Sequence, residues 1–203
     1  QSQEDIDSSP VQQFGTVKPG DMKFLDRNHD GYINKYDQGP IGHSVLPKSE
    51  FGLSLGAHYK GFDIQGVLQA QLGRDNYLGN NPSIYWPLIN DAKISTYVKD
   101  HNPWTEQNKA TANYPRLTTI SNSNNYQSST FWYKNADFLR LRSLEIGYNL
   151  PMTLTSRVKI EKIRFFLRAM NLLTVSNFTY GDPETLGGYP AMKSCNVGIN
   201  IQF

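Results

Sequence analysis

The chain of 203 residues has a single cysteine, Cys195, so no internal disulfide frames it, and it has no Cys-His cluster at zinc spacing. It lacks any run of about 18 apolar residues, which excludes a membrane-spanning helix. That absence does not exclude a membrane-spanning barrel, because alternating strands average out to a hydrophilic sequence. Charge of one sign is nowhere concentrated. The 20 basic and 18 acidic residues are interspersed, without the basic stripe that nucleic acid requires, and no nucleic-acid partner is expected. Enzyme signatures are missing as well: there is no Gly-x-Ser-x-Gly, no His-Glu-x-x-His and no phosphate-binding glycine loop. His29, His43, His58 and His101 are scattered without metal-pair spacing. A non-enzyme is expected.

What the sequence does have is two-fold periodicity. Phe51, Leu53, Leu55, Ala57 and Tyr59 alternate with Glu50, Gly52, Ser54, Gly56 and His58. Lys60-Gly61 then makes a tight turn into Phe62, Ile64, Gly66, Leu68, Ala70 and Leu72, which oppose Asp63, Gln65, Val67, Gln69 and Gln71. This pair reads as a β-hairpin with one apolar face. Leu144, Ile146, Tyr148 and Leu150 alternate with Ser143, Glu145, Gly147 and Asn149 up to Pro151, and Ile163, Phe165, Leu167 and Ala169 oppose Arg164, Phe166, Arg168 and Met170. Val197, Ile199, Ile201 and Phe203 repeat the pattern.

The pattern predicts an all-β, antiparallel chain of about five strands, each of the length a tilted strand needs to cross a bilayer. Short turns at Lys60-Gly61 and near Pro151 alternate with long connections at 1–47, 73–130 and 174–191, the asymmetry of an outer-membrane barrel. The division expected is a loop region over 1–47 and barrel strands with long loops over 48–203. The polar face is rich in Gln, Asn and Gly, which suits an interior, and Tyr59 and Tyr148 lie where an aromatic girdle would sit. A soluble calcium-stabilised β-sandwich that binds glycans carries the same alternation and is the alternative class. Near-helical spacing of Ile89, Ile94, Tyr97 and Val98 predicts one short helix in the middle loop.

The sharpest local motif is Asp26-Arg27-Asn28-His29-Asp30-Gly31-Tyr32-Ile33-Asn34-Lys35-Tyr36-Asp37. Oxygen ligands at its first, third and fifth positions, glycine at the sixth and a carboxylate at the twelfth match a calcium loop. Asp26, Asn28, Asp30 and Asp37 would supply side chains, Tyr32 its carbonyl and Asn34 a direct or water-bridged contact, holding a structural Ca2+. The same composition makes turns closed by Asx hydrogen bonds with no metal.

Several ordered stretches resemble one family: Lys18-Pro19-Gly20-Asp21, the Asp26–Gly31 run, Tyr59-Lys60-Gly61-Phe62-Asp63, Tyr114-Pro115-Arg116-Leu117, Phe138–Pro151, Asn171-Leu172-Leu173-Thr174, Tyr180-Gly181-Asp182-Pro183-Glu184 and Val197–Phe203. Together they are similar to the SusC/RagA-like TonB-dependent transporters. The resemblance implies the C-terminal part of a large transmembrane barrel in the outer membrane of a Gram-negative bacterium. It further implies an internal plug, a SusD-like surface lipoprotein as cap, energy from TonB, and oligosaccharide or peptide as cargo. The remainder of the barrel and plug, and outer-membrane lipid, would be this chain's surroundings. The opening Gln1–Pro10 lacks the basic, apolar and cleavage-site order of a signal peptide, so an exported protein of this kind is expected to begin upstream.

On this reading Asp63, Gln65, Gln69, Gln71, Arg164 and Arg168 face the lumen, lining a substrate path or bonding to the plug. Trp86 and Trp104 are the loop aromatics expected to touch ligand or partner. The alternating last strand ending in Phe203 is the expected assembly signal.

Overall fold

The computed structural model describes residues 2–86 and 94–203. Contacts divide the chain into two compact units, Gln1–Gly42 with Tyr77–Lys134, and His43–Asn76 with Asn135–Phe203.

The first unit is mostly loop. Helix α1, Gln3–Asp7, starts at a capping box between Ser2 and Asp5. Strand β1, Val11–Gln12, pairs in parallel with β2, Tyr32–Ile33. Helices α2, Pro82–Tyr85, and α3, Thr96–Asp100, follow. Of the expected short helix in the middle loop, the described part is α3, where Ser95 accepts the Val98 N–H as an N-cap. Its Ile89 end lies outside the described residues. Ile33, Leu78, Val98 and Trp132 are buried in this unit.

The second unit is built on a five-stranded antiparallel sheet of β3, Ser49–Tyr59; β4, Phe62–Leu72; β7, Phe138–Asn149; β8, Lys162–Ser176; and β9, Ser194–Gln202. Two short strands, β5, Asp75–Tyr77, and β6, Tyr133–Asn135, carry the chain out of this unit and back. A four-residue helix α4, Met152–Thr155, lies in the β7–β8 connection after Pro151.

Register converts the alternation into rows. Leu55, Gly66, Leu144, Ala169 and Cys195 form one row; Ala57, Ile64, Ile146, Leu167 and Val197 the next; Tyr59, Phe62, Tyr148, Phe165 and Ile199 the one at the hairpin end. The last row sets four aromatics side by side, with the Phe62 and Tyr148 rings 4.5 Å apart. This face is open: Leu55 is 59% exposed, Tyr59 70% and Val197 81%.

One irregularity keeps the face continuous. Leu68 pairs with Leu141 but Val67 pairs with Ser143, so Arg142 is an extra residue, opposed on β8 by an interruption at Asn171 and Leu172. The bulge shifts the phase of β7. Leu139 and Leu141 share the apolar face with Leu144, Ile146 and Tyr148, although the two sets fall on opposite parities. Simple alternation starts the strand at Ser143, whereas it begins at Phe138, and for the same reason β8 reaches Ser176.

The β3–β4 turn has positive φ at both Lys60 (46°) and Gly61 (88°), as two-residue hairpins of the primed type require. A Cβ on Gly61 would stand 2.9 Å from the Asn149 carbonyl oxygen and 3.2 Å from the Tyr148 ring. Gly61→Val is therefore expected to lower stability by about 1–2 kcal/mol from left-handed backbone alone, and by more from the contact with Asn149. Lys60→Asn, a residue at ease in that conformation, should raise it. Unfolding midpoints of the full-length variants check both, and a Gly61→Val protein as stable as the parent would refute the turn.

Candidate functional site: an ion-paired polar face

The opposite face of the sheet collects the charges. Asp63, Gln65, Gln69, Gln71, Arg164 and Arg168 all share it by register, with Glu50, Glu145 and Arg140. Near the hairpin end Arg164 donates to Asp63 and, at 2.7 Å, to Glu145, while Arg168 pairs with Glu145 and Asn149 donates to Asp63 at 3.2 Å. Farther along, Gln69 and Gln71 donate to Glu50 at 2.8 and 3.0 Å, and Arg142 Nε donates to Gln69 at 2.9 Å. Gln65 is exposed. At the centre of the hairpin-end cluster the charges are better covered than the apolar side chains behind them: Arg164 is 17% exposed and Glu145 15%.

At the other end of this face sits the most buried cluster. Arg140, 2% exposed, lies over the Phe138 ring and donates to Thr174 Oγ1 at 3.0 Å, to both oxygens of Asp182 at 2.9 Å and to Glu184. Arg142, placed by the bulge, donates to Glu184 and to Asn171. Asp182 also accepts the Glu184 N–H at 2.8 Å and the Ala191 N–H at 3.0 Å. Three stretches distant in sequence, Phe138–Arg142, Asn171–Thr174 and Asp182–Glu184, thus meet in one site. Sequence reasoning saw them only as separate motifs, since spacing does not reveal which arginine pairs with which carboxylate. Arg140 donates from Nη2 to both Asp182 oxygens, from Nη1 to Glu184 and from Nε to Thr174, and this planar three-nitrogen reach is what a guanidinium offers and an ammonium does not.

Burial pushes the Asp182 carboxyl up, but the Glu184 N–H, Arg140 and the Ala191 N–H outweigh it and leave it below its ordinary value of 3.8. A carboxyl depressed by folding stabilises fully above its unfolded value and loses that contribution as pH falls below it. Loop 177–193 should therefore open to pepsin as pH drops below the ordinary carboxylate range. Arg140→Met, which strands buried carboxylates, should cost about 3–5 kcal/mol, and Asp182→Asn should leave the loop cleavable at neutral pH. A loop equally resistant in parent and Asp182→Asn proteins would rule out the clamp.

In the first unit, Asp21 accepts Asn122 and Asn125 Nδ2 at 2.8 and 2.9 Å and pairs with Arg116 at 2.8 Å, while the Arg116 N–H donates to Gly20. The Lys18–Asp21 and Tyr114–Leu117 stretches thus meet as well. Trp104 packs against Gly20, and Trp86 stacks on Tyr126 at 4.3 Å, so both tryptophans are engaged within their own unit. In the Asp26–Asp37 stretch, Asp26 accepts the His29 and Gly31 N–H groups, Asn28 that of Asp30, Asp30 that of Tyr32 and Asn34 that of Tyr36. Asp37 accepts the Asn34 and Arg27 N–H groups, both at 2.8 Å. The Asn34 N–H, against the opposing effect of burial and with help from Arg27, holds its carboxyl below the usual range. Among the described residues, no three His, Cys, Asp or Glu side chains stand close enough together to hold a metal. No described helix is long and apolar enough to cross a membrane, which says nothing of a barrel. Phe203 follows β9 and is 88% exposed.

No family model matches the sequence. In an alignment 218 positions long the chain is 26% identical to TonB-dependent receptor P26 of Formosa agariphila, covering 100% of this chain and 21% of that receptor. It is also 26% identical to TonB-dependent receptor P3 of the same organism, over 93% of this chain and 20% of that receptor. Among solved structures, the RagAB peptide importer in its closed-closed state matches 84% of this chain and 19% of that chain, with 30% identity and a TM-score of 0.67. A structure of the RagAB peptide transporter matches 82% of this chain and 19% of that chain, with 30% identity and a TM-score of 0.62. The chain spans about a fifth of the length of the relatives it matches. Ordered motifs, five-stranded antiparallel sheet and both kinds of similarity agree, and the chain is a segment of a SusC/RagA-like TonB-dependent outer-membrane receptor.

Proposed function

We propose that this chain forms part of the wall and mouth of an outer-membrane importer whose cargo is peptide, energised through TonB and capped by a SusD-like lipoprotein. The observation that carries the wall is the inversion of the sheet, with rows of open apolar side chains on one face and paired charges on the other. A soluble sandwich would cover the apolar face with a second sheet, and the only other sheets among the described residues are two-stranded. From Ile163 to Val175, β8 runs about 40 Å at roughly 3.3 Å per residue. At the roughly 40° tilt of outer-membrane strands this gives about 30 Å of height, the thickness of a bilayer's hydrocarbon. The aromatic row from Tyr59 to Phe165 then lies at one interface. The polar face lines the lumen, where Arg168, 54% exposed, remains open to plug or cargo. Peptide is favoured over oligosaccharide by the two RagAB neighbours.

Leu144→Arg, in the middle row, should cost about 2–4 kcal/mol by placing a charge at the bilayer midplane, and Ile201→Arg, near an end, about 1 kcal/mol or less. Heat-modifiable gel migration of the full receptor reads both, and equal effects at the two sites would count against a lipid-facing sheet. For the activity, deletion of the receptor in its host should abolish growth on a peptide mixture, as should depletion of TonB. Unchanged growth on peptides in both strains would overturn the reading.

For Asp26–Asp37 we propose a structural calcium loop, supported by ligand spacing and by Gly31 at φ 83° in the sixth position. Calcium should protect this stretch from protease relative to chelator; equal cleavage would leave the Asx turns alone to hold it.

A further inference from the structure

Loop 177–193 does not stand away from the sheet. It folds back onto the polar face and is fastened there at both ends. Asp182 and Glu184 are held by Arg140 and Arg142, the Ala191 N–H donates to Asp182, and Asn171 Nδ2 donates to the Met192 carbonyl at 2.9 Å. Beside the strap lies an open depression of about 400 Å³ lined by strand residues Thr174 and Ser176 and loop residues Pro183 and Pro190.

Its apex is chemically distinct from its base. From Leu186 to Met192 the sequence is Leu-Gly-Gly-Tyr-Pro-Ala-Met, with the Tyr189 hydroxyl as its single polar side-chain group. The neighbouring Thr185 hydroxyl is turned inward onto the Gly188 carbonyl. Leu186 takes φ 50°, a conformation disfavoured for a leucine and retained where surrounding structure enforces it. Tyr189 is 80% exposed and Met192 64%. Pro190 restricts the Tyr189 backbone, and the ion-clamped base limits the freedom the loop must give up on binding, which favours an anchor residue at this position.

We propose that this strap is a fixed part of the cargo path and that Tyr189 is a specificity-determining contact for apolar side chains of the imported peptide. The inference rests on the importer reading above and adds the residue and the class of side chain it selects. An apex with one side-chain hydroxyl offers few hydrogen bonds to the many hydroxyls of a sugar, whereas a Tyr-Met surface suits leucine or phenylalanine.

The test uses the full receptor in its host and synthetic hexapeptides differing only in a central Leu, Phe, Ser or Asp. Tyr189→Ala is expected to slow uptake of the Leu and Phe peptides by about tenfold or more, to leave the Ser and Asp peptides near parental rates, and to be rescued by Tyr189→Phe. Because Tyr189 is exposed, the variant should fold, which unchanged heat-modifiable migration verifies. Parental uptake of all four peptides by Tyr189→Ala would overturn the inference while leaving the importer intact. Failure of the parental receptor to import any of them would bring down the peptide-importer reading and this inference with it.

Discussion

A β-sheet in which the charged face is the covered one and the apolar face the open one must satisfy two conditions at once. Every charge brought out of bulk water needs a partner, and the apolar rows need a solvent that does not penalise them. The first condition is met inside the sheet itself. Asp63, Glu145, Arg164 and Arg168 share their bonds across three strands, so that each of these two carboxylates has a guanidinium, while Glu50 is met by the Gln69 and Gln71 amides. On the proposed importer reading the second is met by lipid, which accounts for apolar rows that cross all five strands.

The bulge at Arg142 links those two conditions. Without an extra residue, either Leu139 and Leu141 or Leu144 and Ile146 would face inward, and the apolar surface would break halfway up β7. With it, the phase changes where Arg142 is needed, beside Arg140, to complete the site that receives Glu184. A local irregularity thus serves both the apolar surface and the clamp on loop 177–193.

The clamp gives the mouth of the sheet a different character from its hairpin end. At the hairpin end, a two-residue turn and a row of aromatics finish the strands compactly. At the loop end, buried ion pairs hold a long connection against the polar face. Removing a partner from such a pair leaves a charge without compensation, so the loop is ordered by the same interaction that would destabilise the sheet if broken.

Alternation by itself determined that the chain is all-β, which residues share a face, and that Lys60-Gly61 closes a hairpin, because side-chain direction in a strand has period two and left-handed backbone favours glycine. Composition alone marked the Asp26–Asp37 stretch as a turn-rich loop of oxygen side chains. What only the tertiary structure decided are the pairings: Arg140 with Asp182, Arg116 with Asp21, and the start of β7 at Phe138. Ion-pair partners lie up to 101 residues apart, and a bulge reverses the parity on which sequence reading depends. Neither can be extracted from local pattern, since each is set by how strands align and not by which residues they contain.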